Sequence, residues 1–167
     1  MSRFLPFVRE AIARLDYVRP EFDMAIAILL EGYEGQHPGK IGQLYRGLGV
    51  QLSRDEKRER GIRANATFSH EAWESLTDRG KASPTRAHML VMLEAMFIYF
   101  RHHTIEQYTA AGCVHFQVHS AGFTDCPGCR EMDGQVIDAE HARNVRPHSC
   151  TREACGLSLS SATSQKS

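Results

Sequence analysis

All five cysteines fall between positions 113 and 155. A disulfide framework spreads its cysteines through a small secreted fold, whereas thiols crowded into one region of a chain in a reducing compartment point to metal binding. Cys126-Pro-Gly-Cys129 has the C-x2-C spacing in which Pro and Gly let the chain turn tightly enough for both sulfurs to face one ion. A second cluster, Pro147-His-Ser-Cys150-Thr-Arg-Glu-Ala-Cys155, supplies further soft donors. Tetrahedral zinc takes four ligands, and the expected set is Cys126, Cys129, Cys150 and Cys155.

The second half of that set is the less determined. Cys150 and Cys155 are five positions apart, so on a regular helix they would point about 140° apart and need a loop-to-helix junction to converge. His148, two before Cys150, competes with Cys155 for the fourth position, and His141 is a more distant candidate. Four protein ligands leave no open coordination position, so the Zn2+ is expected to be structural. It would contribute folding energy to a region with little core of its own.

With 167 residues the chain is expected to form a single domain over residues 1–159. A formal net charge of zero gives bulk charge no role in nucleic-acid affinity. The apolar stretch Met89 to Phe100 contains Glu94 and is far shorter than the roughly 18–20 residues a bilayer requires. Arg9, Arg14 and Asp16 also interrupt any leader-like run at the N-terminus. The expectation is a cytoplasmic protein with no membrane partner.

Helical spacing dominates residues 1–82. Phe4, Leu5, Val8, Ile12 and Leu15 recur on one face before Pro20 breaks the segment, and Phe22, Ala25, Ile26, Leu29 and Leu30 mark a second helix from Glu21 to Tyr33. Gly35, Pro38 and Gly39 should end it. The mixed-charge run from Ser53 to Arg63 reads as a solvated helix. Ser69 and Ser83 read as helix caps, the second followed by Pro84 at a first helical position. Residues 84–112 are apolar on more than one face, the mark of a buried spine helix that Gly112 ends.

Residues 113–159 then form the zinc-bearing part. Val114, Phe116 and Val118 alternate with His115, Gln117 and His119 as in a half-buried strand, and Gly134 to Ile137 is its hairpin partner. The polar residues 160–167 read as a disordered tail. The fold class is therefore mainly α with a small zinc-bearing β-hairpin, an α+β arrangement on a long buried central helix.

A catalytic reading has few anchors. The chain lacks G-x-S-x-G, P-loop and Rossmann glycine patterns. Cys113 reads as a strand thiol, and His102, His103, His115 and His119 as exposed polar positions. His141, Asn144 and His148 carry the letters of the HNH nucleases but lie within eight positions, too close for that ββα unit, and without its adjacent Asp-His pair. The alternative they support is a metal-dependent nuclease or nucleic-acid binder, with Arg143, Arg146 and Arg152 near phosphates.

Residues 84–155 resemble the C-terminal region of phage head morphogenesis proteins, the minor head proteins related to the Mu F protein. The similarity runs from Arg86-Ala-His-Met to Tyr108-Thr-Ala-Ala-Gly112, through a strand, to Thr124-Asp-Cys-Pro-Gly-Cys-Arg-Glu-Met-Asp-Gly-Gln-Val136. The family closes with His-Pro-x-Cys-Arg-Cys, where this chain has Pro147-His-Ser-Cys150 and a longer gap to Cys155. The resemblance implies phage or mobile-element origin and a bacterial host cell. With a closed metal site, it favours a non-enzymatic protein that binds another protein, in head assembly or in inhibition of a host defence system.

Overall fold

The N-terminal apolar spacing produces helix α1 (Leu5–Leu15), which buries Leu5, Val8, Ile12 and Leu15. It ends at Asp16, whose φ of 53° lies in the left-handed region. A 3₁₀ turn at Pro20–Phe22 precedes α2 (Asp23–Gly32), so this helix starts two residues later than its apolar pattern suggests. Ile26, Ala27 and Leu30 face inward, and α2 packs against α1 as a helical hairpin. These coordinates come from a computed structural model that describes residues 1–120 and 126–162.

Helix α2 already ends at Gly32, and the Gly35 to Gly39 stretch beyond it starts a helix that the spacing did not indicate. Pro38 occupies the first position of α3 (Pro38–Gly47), and the His37 Nδ1 accepts a hydrogen bond from the Gly39 N–H at 3.1 Å. Pro is tolerated there because the first N–H groups of a helix have no internal partner. The charged run forms only a short helix, α4 (Arg54–Glu59), capped reciprocally by Ser53 and Glu56. Ser69 caps α5 (His70–Glu74) through the Ala72 N–H, and Thr77 caps α6 (Asp78–Lys81). The spine is α7 (Pro84–Ala110), 27 residues long.

The chain divides into two compact units, Met1–Ala95 and Met96–Ser167, where length and composition favour one domain. In the first unit Ile26, Ile41, Phe68, Leu76 and Met92 are among the fully buried side chains. His88 is buried with them. Its Nε2 lies 2.9 Å from the Ser75 Oγ, and its ring packs 4.8 Å from that of Tyr45. Burial, with a further contribution from the Arg46 charge, lowers its pKa to about 3, so the imidazole is neutral. Ser75 and His88 are both 0% exposed, which makes the pair a core hydrogen bond rather than a nucleophile and its base.

The second unit contains a three-stranded antiparallel sheet in place of the expected hairpin. Its order is β2-β1-β3, formed by β1 (His115–His119), β2 (Val136–Asp138) and β3 (Ser158–Ser161). Phe116 pairs with Ile137 on one side and Ser161 on the other. Ser160 and Ser161, which composition assigns to the tail, are thus ladder residues, and residues 163–167 lie outside the described part. Phe116 packs with Ile105 of α7 and Ala142 of α9 (Ala139–Arg143), burying the inner face of the sheet. Val118 faces a second cluster that contains Cys126, Cys129 and Cys155. Among the described residues no helix is long and apolar enough to cross a membrane.

Candidate metal centre

Cys126 immediately precedes α8 (Pro127–Met132), and Cys129 lies within its first turn. Pro127 fits that first turn for the same reason as Pro38. Gly128 has a different task, because a Cβ there would stand 2.7 Å from the Ser149 Oγ and 2.9 Å from the Cys150 backbone nitrogen. Without a side chain at 128, the Ser149–Cys150 backbone can close over α8. The Pro147 carbonyl accepts from the Cys150 N–H at 3.0 Å and fixes the turn that delivers this third thiol.

The sulfurs of Cys126, Cys129 and Cys150 all lie within 4.8 Å of one another, a grouping that could hold a metal ion. Cys126 and Cys150 are separated by 3.8 Å between sulfurs. That is far beyond the ~2.05 Å of a disulfide. Zinc–sulfur bonds of about 2.3 Å, set tetrahedrally, place neighbouring sulfurs about 3.8 Å apart. The spacing therefore fits a shared cation.

Cys155 is 0% exposed and packs in the same cluster as Cys126 and Cys129, with Val118, Val145 and Leu157 around them. Its sulfur is not one of the three that come within 4.8 Å of one another, although Cys150 packs against the buried cluster that holds it. The loop between Cys150 and Cys155 is held by Arg146, whose Nη2 donates to the Arg152 carbonyl at 2.8 Å. At its end, the Arg101 Nη1 donates to the Cys155 carbonyl at 3.0 Å. Irregular backbone lets both cysteines reach one buried cluster where a regular helix would part them.

The electrostatics of the cluster are those of thiols crowded out of water. Burial raises the Cys126 thiol, but hydrogen bonds from the Cys129 and Thr151 backbone N–H groups to its sulfur outweigh it and bring the pKa down to about 6. Cys129 is pushed strongly upward, first by burial and then by its hydrogen bond with Cys126 and the charges of the neighbouring thiols. Cys150 is raised chiefly by burial. The Cys126 thiolate is favoured, and ionising Cys129 and Cys150 requires a compensating positive charge.

The other candidates are placed apart from this cluster. His148 is exposed in the turn before Cys150. His141 lies in α9, where its Nδ1 is 2.8 Å from the Asp138 carboxylate, and Asn144 ends the same helix. Asp138 thus supplies in space the Asp-His pairing that the linear sequence lacks. Arg146, considered above for phosphate contact, binds the carbonyls of its own loop. His119 meets the Ser160 Oγ at 2.7 Å, and His103 stacks on Tyr99. Among the described residues no second group of three or more His, Cys, Asp or Glu ligand atoms comes together.

Arg101, and the parts Gly128 and Arg146 play in seating the Cys150 segment, escaped sequence reasoning. Arg101 carried a readable signal, a lone cation following Tyr99 and Phe100 on an apolar helix. Arg146 carried none, because its role depends on backbone carbonyls. Searches of family models, curated proteins and solved structures found no match for the chain.

Proposed function

We propose that Cys126, Cys129, Cys150 and Cys155 hold one structural zinc ion and that the chain is a non-enzymatic binding protein of phage or mobile-element origin. The observation that carries the metal assignment is the 3.8 Å separation of the Cys126 and Cys150 sulfurs, the edge of a zinc–thiolate tetrahedron. Four sulfur ligands leave no position for water or substrate. The ion then acts as a crosslink in a unit whose sheet is only three strands wide.

Action through a protein partner follows from the closed site and from the resemblance of residues 84–155 to phage head morphogenesis proteins. Head assembly and inhibition of a host defence are the two settings in which such a partner is sought. Metal analysis of the purified chain tests the first half of the reading, and an absence of zinc under reducing, chelator-free purification overturns it. Co-purification from cells expressing either candidate partner system tests the second half. Repeated recovery alone, or cleavage of DNA or RNA with Mg2+ or Mn2+, would replace it with another function.

A further inference from the structure

Residues 35–53 and 60–70 contain no aspartate or glutamate, while the first run holds Lys40 and Arg46 and the second Arg60 and Arg63. The whole chain carries as many acidic as basic residues, so these stretches create local charge that the net value hides. Both contribute to a groove of about 430 Å³ on the first unit. Lys40, Gln43, Leu44 and Gly47 line it at i, i+3, i+4 and i+7, so they share one outer face of α3 for two turns. Leu48 extends that face. Thr67, from the second stretch, packs beside Gly47, where a Cβ would meet its methyl group at 3.5 Å.

Leu48 is 53% exposed, the nearby Val50 68%, and Leu44 is half-buried. Lys40 lines the groove near the start of α3, and it is exposed. Its ammonium makes no hydrogen bond or ion pair among the described residues. Arg46 does not add to this charge, because its Nη1 lies beside Gly42 and it acts on the buried His88. At the Val50 end the Glu71 carboxylate packs against Gly49 and accepts from the Val50 N–H at 3.5 Å. Along its length the groove therefore runs from a cation, over aliphatic side chains, to an acid.

We propose that this groove docks an acidic amphipathic helix of a partner protein. The inference rests on the reading that the chain acts through a protein partner, and it is independent of the zinc assignment. Apolar side chains of the partner, spaced three and four residues apart, cover Leu44, Leu48 and Val50, and a carboxylate at one end meets Lys40. The long lysine side chain needs no fixed orientation to reach it. Backbone groups within α3 are already paired along the helix, so an extended segment finds no ladder to join, whereas a helix arrives with its own backbone satisfied. Aliphatic side chains offer nothing to phosphates, which sets this surface apart from one built for nucleic acid.

The test uses the full chain and labelled peptides of about 18 residues, long enough to be helical. One is an amphipathic helix of Leu, Ala and Glu, and a second carries Lys in place of Glu. Anisotropy and the methyl resonances of Leu44, Leu48 and Val50 report binding. The acidic peptide is expected to bind saturably and shift these methyls, and the basic one to bind far more weakly. Leu48→Ser should weaken binding about tenfold, the scale of one buried leucine. Lys40→Glu should weaken it about fivefold at low salt, a difference that added salt removes. Ile28→Ser, at an exposed position of α2 outside the groove, should leave it unchanged. Circular dichroism checks that each variant is folded, and Lys40→Glu carries the test should Leu48→Ser fail to fold. The proposal is overturned by an absence of saturable binding, by the basic peptide binding as tightly, by full binding to the folded Leu48→Ser chain, or by a DNA or RNA oligonucleotide that displaces the acidic peptide. A co-purified partner whose binding survives both groove substitutions would keep the partner reading and discard this surface.

Discussion

The sulfurs of Cys126 and Cys150 stand 3.8 Å apart although 24 positions separate them in the chain. Cys129 is the third sulfur of that group, and the variants that test Cys155 as the proposed fourth ligand are Cys155→Ser and His148→Ala. Cys155→Ser is expected to lose most bound zinc on desalting, while His148→Ala keeps it. Metal analysis of both proteins decides the matter, since retention in the first and loss in the second would give the fourth position to the histidine.

Gly128→Ala attacks the same site through the backbone. Its Cβ would collide with the Cys150 nitrogen at 2.9 Å, so Cys150, the proposed third ligand, must move. Loss of a supporting contact around a metal typically lowers affinity about 10–100-fold. Competition with a chelating dye measures this. Gly32→Ala in α2, which meets open space, is the control and should leave affinity unchanged.

The depressed pKa of His88 gives the first unit a pH-dependent stability. Below 6.5 the unfolded chain takes up a proton at this histidine, whereas the folded chain does not until about pH 3. Stability present above pH 6.5 therefore declines as pH falls towards 3, by up to about 1.4 kcal/mol per pH unit from this group. Denaturant unfolding from pH 7 to 4 should show a shallower decline for His88→Gln than for the native chain. Equal slopes would rule the buried imidazole out as the source.

His141 behaves in the opposite direction. Its hydrogen bond to Asp138 and the negative charge of that carboxylate raise the imidazole pKa above 6.5. An NMR titration should place its midpoint above that value, and Asp138→Asn should return it towards 6.5. A midpoint that ignores the substitution would mean the pair does not persist in solution.

The legibility of the sequence varied with how local the determining contacts are. Ser83, Pro84 and Gly112 announced both ends of α7, and Cys126-Pro-Gly-Cys129 announced the first two thiols, because caps and knuckles are encoded within a few residues. Helix α3 was hidden because Pro38, which reads as a breaker, is equally suited to the first position of a helix. Strand β3 was hidden because Ser158-Leu-Ser-Ser161 has little strand character without β1 beside it. The meeting of Cys150 and Cys155 at one buried cluster depends on Gly128, Arg101 and Arg146, which are distant or act through main-chain atoms. No periodicity records such contacts.

Ser53 offers a test confined to one short helix. Its side chain accepts from the Glu56 N–H while Glu56 accepts from the Ser53 N–H. Ser53→Ala removes half of that reciprocal cap and is expected to cost about 1 kcal/mol. Thermal unfolding would register the loss, and a midpoint equal to that of the native chain would show that α4 is not part of the cooperative unit.

The position of β1 between β2 and β3 has a consequence for how the thiols find one another. Both strands that flank the Cys150 and Cys155 segment are hydrogen-bonded to this one strand, so that segment begins and ends on a common support. Ring closure over a long flexible segment carries an entropic penalty that grows with its length. The sheet bears that penalty before any ion arrives. A chain shortened after Cys155 would retain every sulfur yet have to capture the ion with one end of the ring open.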